Sequence, residues 1–366
     1  MIDKTPPALI FVGPLPPPMH GMAAVNSDMV VALSARMRVA AISVVPAQGA
    51  KGIGYHVTKA SSVLMAVIGI VKCRLAGARA LYASADDGLG GAYTTLILAT
   101  ARIIGLRIAL HHHSYRYIVE RTRMMQLMVQ VAGRNAIHVV LCDEMIGDFG
   151  CLYPGARTIW ATPNSVARTE ALRPSRKQGP LTIGMLANLT FEKGVAEFIE
   201  IVERALDEGI DVRGVLAGPV MTDEVKSFIE GRLLAMPGRV AWIGAVSGEA
   251  KDAFFTGLDL FIFPSKYRTE SFGLVLLEAL VRGVPIAAPR RGCVCVFESL
   301  AAGTIVPLTA NFQDAAVALI RAAAKDREDL ECLASAARQE GRALNDSFIA
   351  GQEKLADMLA AMALQP

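Results

Sequence analysis

The chain reads as an α/β protein built from two doubly wound, Rossmann-like parallel-sheet domains, and three observations lead there. Short β-type runs alternate with helix-length segments from end to end, the pattern of parallel strands joined by crossover helices. At 366 residues the chain exceeds the length over which a single core keeps growing. A polar, Pro-bearing stretch from Arg168 to Pro180 interrupts the alternation near mid-chain and reads as a domain boundary.

In the first half, strands are expected at 9–12, 40–45, 80–84, 107–111, 138–142 and 158–161, with helices at 22–35, 57–75, 90–104, 118–132 and 144–151. Past the boundary, strands are expected at 181–186, 212–217, 240–243, 258–263, 285–288 and 304–306, with helices at 194–208, 222–236, 247–255 and 271–281. The Ala-rich tail from Phe312 reads as helical, ending in a helix near 347–362. The domains are then 1–170 and 181–345, with 346–366 crossing back onto the first. Strand C-terminal ends of such sheets meet the ligand, so the chemistry is expected on the loops that follow strands, around a cleft between the domains.

Hydrophobic residues make up 53% and charged ones 19%, which excludes a disordered chain. The net charge of +3 hides an asymmetry: residues 1–170 carry 16 Lys plus Arg against 9 Asp plus Glu, the remainder 21 against 25. A basic first half suits an anionic surface or acceptor, and equally an ordinary solvated face. The six cysteines form no CxxC pair and no Cys/His cluster, so they read as reduced core thiols of a cytoplasmic protein. The N-terminus lacks a signal-peptide layout, and no apolar run reaches the roughly 18–20 residues that span a bilayer. The run 61–71, followed by Lys72 and Arg74, reads first as a buried crossover helix and second as a basic amphipathic surface helix.

The most informative stretch is 261–288, where Glu270 and Glu278 stand eight positions apart around Ser271-Phe272-Gly273-Leu274. A helix starting near Ser271 would offer the unpaired amides of Ser271, Phe272, Gly273 and Leu274 to an anion. The carboxylates would face hydroxyl groups, and hydroxyls flanking phosphates describe a nucleotide sugar. The plainer reading, a capping Glu270 and a solvated Glu278, is weakened by the apolar run around Glu278, where a carboxylate needs a partner.

Other strand ends add to this. Gly13-Pro14-Leu15-Pro16-Pro17-Pro18-Met19-His20-Gly21 is not a GxGxxG turn, which argues against a dinucleotide dehydrogenase, and Gly21 would lie against a phosphate or acceptor group. Asn188-Leu189-Thr190-Phe191-Glu192-Lys193-Gly194 puts a Lys at a helix start, which the macrodipole disfavours unless an anion sits there, so Lys193 is a phosphate clamp. Gly218 ends a strand where a base could enter, and Arg291 is a candidate extra phosphate contact. Along His111-His112-His113, alternation puts His111 and His113 on one face. No partner carboxylate or Cys motif supports a metal there. An imidazole bonded to a sugar or phosphate is preferred.

With these residues in hand, the chain resembles the retaining GT-B glycosyltransferases of family 4, the group with a Glu-x7-Glu signature. The likeness rests on Pro264-Ser265-x4-Glu270-Ser271-Phe272-Gly273-Leu274-Val275-x2-Glu278-Ala279, on Gly283-Val284-Pro285, on Glu192-Lys193-Gly194, on Pro163-Asn164-Ser165-Val166 and on the N-terminal Gly/Pro loop. It implies that Glu270 lies by the donor sugar, that Glu278 holds the ribose and that Lys193 binds the diphosphate. It further implies that an N-domain His, mapped to His113 with His111 in reserve, contacts the sugar or acts near the reaction centre. Two departures stand out: the family's phosphate-binding Arg is Asn188, and the Gly-rich turn after the Glu helix reads Arg290-Arg291-Gly292.

The implied activity is retaining transfer of a hexose from a UDP- or GDP-sugar to an acceptor hydroxyl, without cofactor or metal; no Asp-x-Asp triplet occurs in the chain. Expected partners are the nucleotide sugar and a saccharide or lipid-linked acceptor of cell-envelope or exopolysaccharide synthesis, with peripheral contact to an anionic membrane and no nucleic acid. The rivals are a nucleotide-sugar epimerase of the same shape and a non-catalytic binding protein.

Overall fold

The computed structural model describes residues 7–17, 21–45, 52–88, 90–175 and 178–365. The chain divides into two compact units, residues 1–164 with 348–366, and residues 165–347. The division thus falls a few residues before the polar stretch expected to mark it.

The first unit holds six parallel strands, β1 (Leu9–Gly13), β2 (Val39–Ser43), β3 (Ala80–Ala85), β4 (Arg107–His112), β5 (Ile137–Val140) and β6 (Thr158–Ala161), in the order β2-β1-β3-β4-β5-β6. Its helices are α1 (Gly21–Ser34), α2 (Gly52–Leu75), α3 (Gly90–Ile103), α4 (Arg116–Val119), α5 (Arg123–Ala132) and α6 (Asp143–Leu152). Alternation along buried strands sends Leu9, Phe11, Tyr82 and Val139 to one face, against Met29 and Leu33 of α1 and Leu355 and Leu359 near the C-terminus. Each such side chain contributes about 1.5–3 kcal/mol of burial. Val12 and Ala83 face the other way, toward Val63 of α2 and Ile97 of α3.

β4 delivers the histidines as the alternation requires. His111 sits beside His113, ring centroids 4.0 Å apart, with its Nδ1 2.6 Å from the Tyr82 hydroxyl. His112 lies with His138 (Nε2 to Nδ1, 3.0 Å), the Tyr117 hydroxyl and Phe149. All four rings are buried, and the Nε2 atoms of His111, His113 and His138 have no hydrogen-bond partner. Burial disfavours the charged imidazolium: it pushes His113 and His138 down to about 4 and, with their His neighbours, lowers His111 and His112 as well. The rings are neutral at pH 7.

The second unit holds β7 (Leu181–Leu186), β8 (Val212–Ala217), β9 (Val240–Trp242), β10 (Leu260–Ile262), β11 (Ile286–Pro289) and β12 (Gly303–Val306), in the order β12-β11-β10-β7-β8-β9. Read from the opposite edge this is the 3-2-1-4-5-6 order of nucleotide-binding sheets, and its switch point lies between β7 and β10. The helices are α7 (Val195–Asp207), α8 (Asp223–Ala235), α9 (Gly248–Thr256), α10 (Leu274–Leu280), α11 (Phe312–Lys325) and the part of α12 (Arg327–Leu364) before residue 348, whose remainder belongs to the first unit, plus a short 3-10 turn at Gly292–Phe297.

All twelve expected strands are present, and four expectations are corrected. The helix expected over 118–132 is two, because Thr122 takes extended backbone and caps α5 by accepting the Met125 N–H. The final helix begins at Arg327 rather than near 347. Arg173, inside the supposed linker, is buried: it donates to Asp259 Oδ1 at 2.8 Å and to the Leu258 carbonyl, and it pairs with Glu331. Of the cysteines, Cys73, Cys151, Cys295 and Cys332 are free, Cys151 and Cys332 being exposed rather than core, whereas Cys142 and Cys293 are buried.

Removing one partner of a buried pair strands the other charge. Arg173→Ala, which leaves Asp259 with only the Thr182 N–H and the more distant Arg327, should lower the unfolding free energy of the second unit by about 3–5 kcal/mol in a denaturant titration. For the histidines the folded pKa lies below the unfolded one, so the folded state binds fewer protons as pH falls from 6.5 toward 4. Their contribution is complete above about pH 6.5 and is lost on acidification through that window. A melting temperature that does not fall between pH 6.5 and 4 would show that the folded rings take up protons freely.

Candidate functional site

The switch point of the second sheet brings two loops together, the one after β7 that ends at Lys193 and the one after β10 that ends at Gly273. Gly194 sets how closely they meet. Its φ of 90° is left-handed, and a Cβ there would stand 2.1 Å from the Pro264 carbonyl oxygen, so only glycine lets the start of α7 press against the Pro264-Ser265 break. Lys193 Nζ consequently reaches Glu270 Oε2 at 2.7 Å, with the Tyr267 ring 4.7 Å and the Phe263 ring 5.9 Å from the ammonium. The Ser265 hydroxyl donates to the same carboxylate oxygen at 2.9 Å.

The anion expected beside Lys193 is therefore, in this structure, the chain's own Glu270. Both side chains are largely buried, at 23% and 10% exposure, where opposite charges stabilise each other more than at a free surface.

Gly292 plays the matching part for Arg291. At φ 54° its missing Cβ would lie 2.1 Å from the Glu270 carbonyl oxygen, and the Cys293 N–H donates to the Ser271 carbonyl. Arg291 Nε then donates to the Ser265 carbonyl at 3.0 Å. Arg291, Ser265, Lys266, Glu197 and Asn311 line a cleft of about 190 Å³. The arrangement puts an Arg next to the Lys193–Glu270 pair while Asn188 sits exposed on the bend after β7.

The helix expected from Ser271 starts at Leu274. Gly273 takes a left-handed conformation at φ 66° as its N-cap, so Ser271 and Phe272 are loop residues and Phe272 is buried. α10 is seven residues long, which places Glu278 about one turn in rather than two. Its carboxylate is not solvated: Oε1 accepts from Lys251 Nζ of α9 at 2.6 Å.

Lys251 and Tyr267 escaped the sequence reading, and Ser265 entered it only as part of the family pattern. The one available signal for the first was charge order, Lys251-Asp252 set against Glu278 and Arg282, four apart in the chain. Gly218 closes β8, donating its N–H to the Gly244 carbonyl and accepting from Trp242 Nε1 at 3.0 Å. Trp242, Val220, Met221, Thr222, Asp223 and Lys226 line an open pocket beside it.

In the first unit, Gly21 is the exposed first residue of α1, and nothing lies within 4 Å of where its Cβ would stand, so crowding does not demand glycine. His20 falls outside the described residues. His113 is buried with its Nε2 unpartnered, as described above. Among the described residues no three His, Cys, Asp or Glu side chains converge as a metal site.

Residues 168–340 match the family model of glycosyl transferases group 1. A 149-residue segment is 27% identical to the sulfoquinovosyl transferase SQD2 of Arabidopsis thaliana, covering 40% of this chain and 28% of that protein. An uncharacterized glycosyltransferase of Methanocaldococcus jannaschii, MJ1607, matches at 27% over 109 residues, 29% of this chain and 26% of that one. The chain thus spans little more than a quarter of the curated relatives it matches. Among solved structures, Anabaena Alr3699/HepE in complex with UDP superposes with a TM-score of 0.73 at 14% identity, covering 96% of this chain and 99% of that one. The sucrose-phosphate synthase of Thermosynechococcus elongatus gives 0.73 at 15% over the same shares. The chain has the two-sheet GT-B fold, and the stretch similar to glycosyl transferases group 1 is residues 168–340, a little under half of the chain.

Proposed function

We propose that the protein is a retaining glycosyltransferase of the Glu-x7-Glu type, family 4, which moves a hexose from a UDP- or GDP-sugar to an acceptor hydroxyl without a metal ion. The observation that carries this reading is the Lys193–Glu270 pair at the sheet switch point, inside the segment that matches the group 1 model. Solved relatives bound to UDP and UDP-glucose support the donor class.

As the glycosidic bond loosens, negative charge grows on the diphosphate leaving group, and cations already in place stabilise that growth at little reorganisation cost. Lys193 and Arg291 supply them, aided by the amides from Ser271 to Leu274. Lys193 exchanges Glu270 for the diphosphate, which frees the Glu270 carboxylate for the sugar hydroxyls. Glu278 accepts from the ribose, Gly218 borders the base pocket with Trp242, and Asn188 and Gly21 line the phosphate and acceptor sides. His113 serves as the imidazole near the reaction centre. Burial keeps its ring neutral at pH 7.

The acceptor is a saccharide or lipid-linked acceptor of cell-envelope or exopolysaccharide synthesis, met at the cytoplasmic face of the membrane. Helix α2 supports the membrane part. Opposite its buried stripe of Val63, Ala66 and Ile70 it exposes Leu64, Met65, Ile68 and Leu75 with Lys72 between them, and no acidic residue occurs anywhere in α2. Among the described residues no helix is long and apolar enough to cross a membrane.

A thermal-shift screen over UDP- and GDP-sugars should single out one donor. Glu278→Ala should weaken nucleotide diphosphate binding at least about tenfold, and unchanged affinity in calorimetry would remove Glu278 from the site. Lys193→Ala should lower kcat by about 100-fold or more. Flotation with anionic liposomes at low salt should carry the protein upward, and Ile68→Glu should abolish this; a protein that stays at the bottom of the gradient has no such surface.

A further inference from the structure

Lys251 belongs to no part of the machinery assigned above, yet it is the only described side chain that pairs with the Glu278 carboxylate. The pair is half-buried, Lys251 at 30% exposure and Glu278 at 13%. Its next neighbour in α9, Asp252, pairs with Arg282, which stands four residues beyond Glu278. Arg282 also donates Nη1 to the Glu278 carbonyl at 2.7 Å and lies 5.2 Å from the Phe255 ring.

Two adjacent residues of α9 thus grip two residues on one side of the Glu278 segment. The Asp252–Arg282 contact, with Arg282 at 8% exposure, already ties the backbone there. Lys251 adds nothing to that tie. What it does fix is the carboxylate: Oε1 is held by the ammonium, and Oε2 has no hydrogen-bond partner among the described residues. The ammonium keeps two further N–H donors.

A carboxylate beside an ammonium is a matched acceptor and donor. The acceptor takes a hydroxyl proton, and the donor meets the oxygen of the neighbouring hydroxyl. A vicinal diol presents both at once, and a single hydroxyl does not. We propose that Lys251 is a specificity-determining and positioning residue which, with Glu278, makes the site read the vicinal diol of a ribose and reject a 2′-deoxyribose. The inference rests on the donor-site reading of Glu278 and adds a selectivity that Glu278 alone would exert more weakly.

The test compares UDP and GDP with their 2′-deoxy counterparts by calorimetry on the full chain. The wild type should bind one of the ribonucleotides at least about tenfold more tightly than its deoxy form, the usual scale for leaving a site's polar group unpaired. Lys251→Met should weaken the ribonucleotide about tenfold and the deoxynucleotide far less, so that the ratio falls toward one. Lys251→Arg should restore most of it, and in turnover Lys251→Met should raise KM while kcat holds. Lys251→Gln serves if the Met variant folds poorly, and an unchanged melting temperature separates positioning from a structural role.

A wild type that binds ribo- and deoxynucleotides equally, or a Lys251→Met ratio equal to the wild type's, overturns the inference and leaves the donor site standing. A wild type that binds neither diphosphate overturns the donor-site reading itself, and this inference with it.

Discussion

The geometry of the second unit depends on one close approach, the start of α7 against the Pro264-Ser265 break, which Gly194 alone permits. A cation at a helix N-terminus is poorly placed by the dipole, and a carboxylate buried to 10% exposure is poorly placed by desolvation. Brought together at 2.7 Å, each removes the other's cost. The resulting pair is fixed in place, and its Lys193 member keeps 23% exposure.

A second close approach, at Gly292, extends this cluster by an arginine. The position that would hold a cation five residues before Lys193 is Asn188, exposed and uncharged. Arg291, which follows β11, donates to the Ser265 carbonyl beside the Lys193–Glu270 pair. The second carboxylate follows the same economy of pairing: Glu278, inside an apolar run, is held by Lys251 from the neighbouring helix.

The first unit carries its polar chemistry differently. Four buried imidazoles are kept neutral by desolvation and linked to each other and to tyrosine hydroxyls, with three Nε2 atoms left unsatisfied. Unpaired buried polar atoms are costly, and these three stand apart from the otherwise satisfied cluster. The alternation of His111, His112 and His113 onto opposite faces was legible from the extended backbone alone. Their burial and the partnership with His138 on the adjacent strand were not, because strand neighbours cannot be read from chain order.

By itself, the sequence determined the twelve strands, the alternation that makes both sheets parallel, and the block from Pro264 to Glu278 where acidic and small residues gather. These are local properties, set by periodicity and turn chemistry within a few residues. Only the tertiary structure decided which charge meets which. Lys193 and Glu270 are 77 residues apart, Lys251 and Glu278 are 27 apart, and buried Arg173 finds Asp259 across 86. It also decided where α10 begins, because a left-handed Gly273 delays the helix to Leu274, and glycine permits that conformation without revealing when it is used. Pairing across such separations follows from strand order and close packing, and neither is written in any short stretch of the chain.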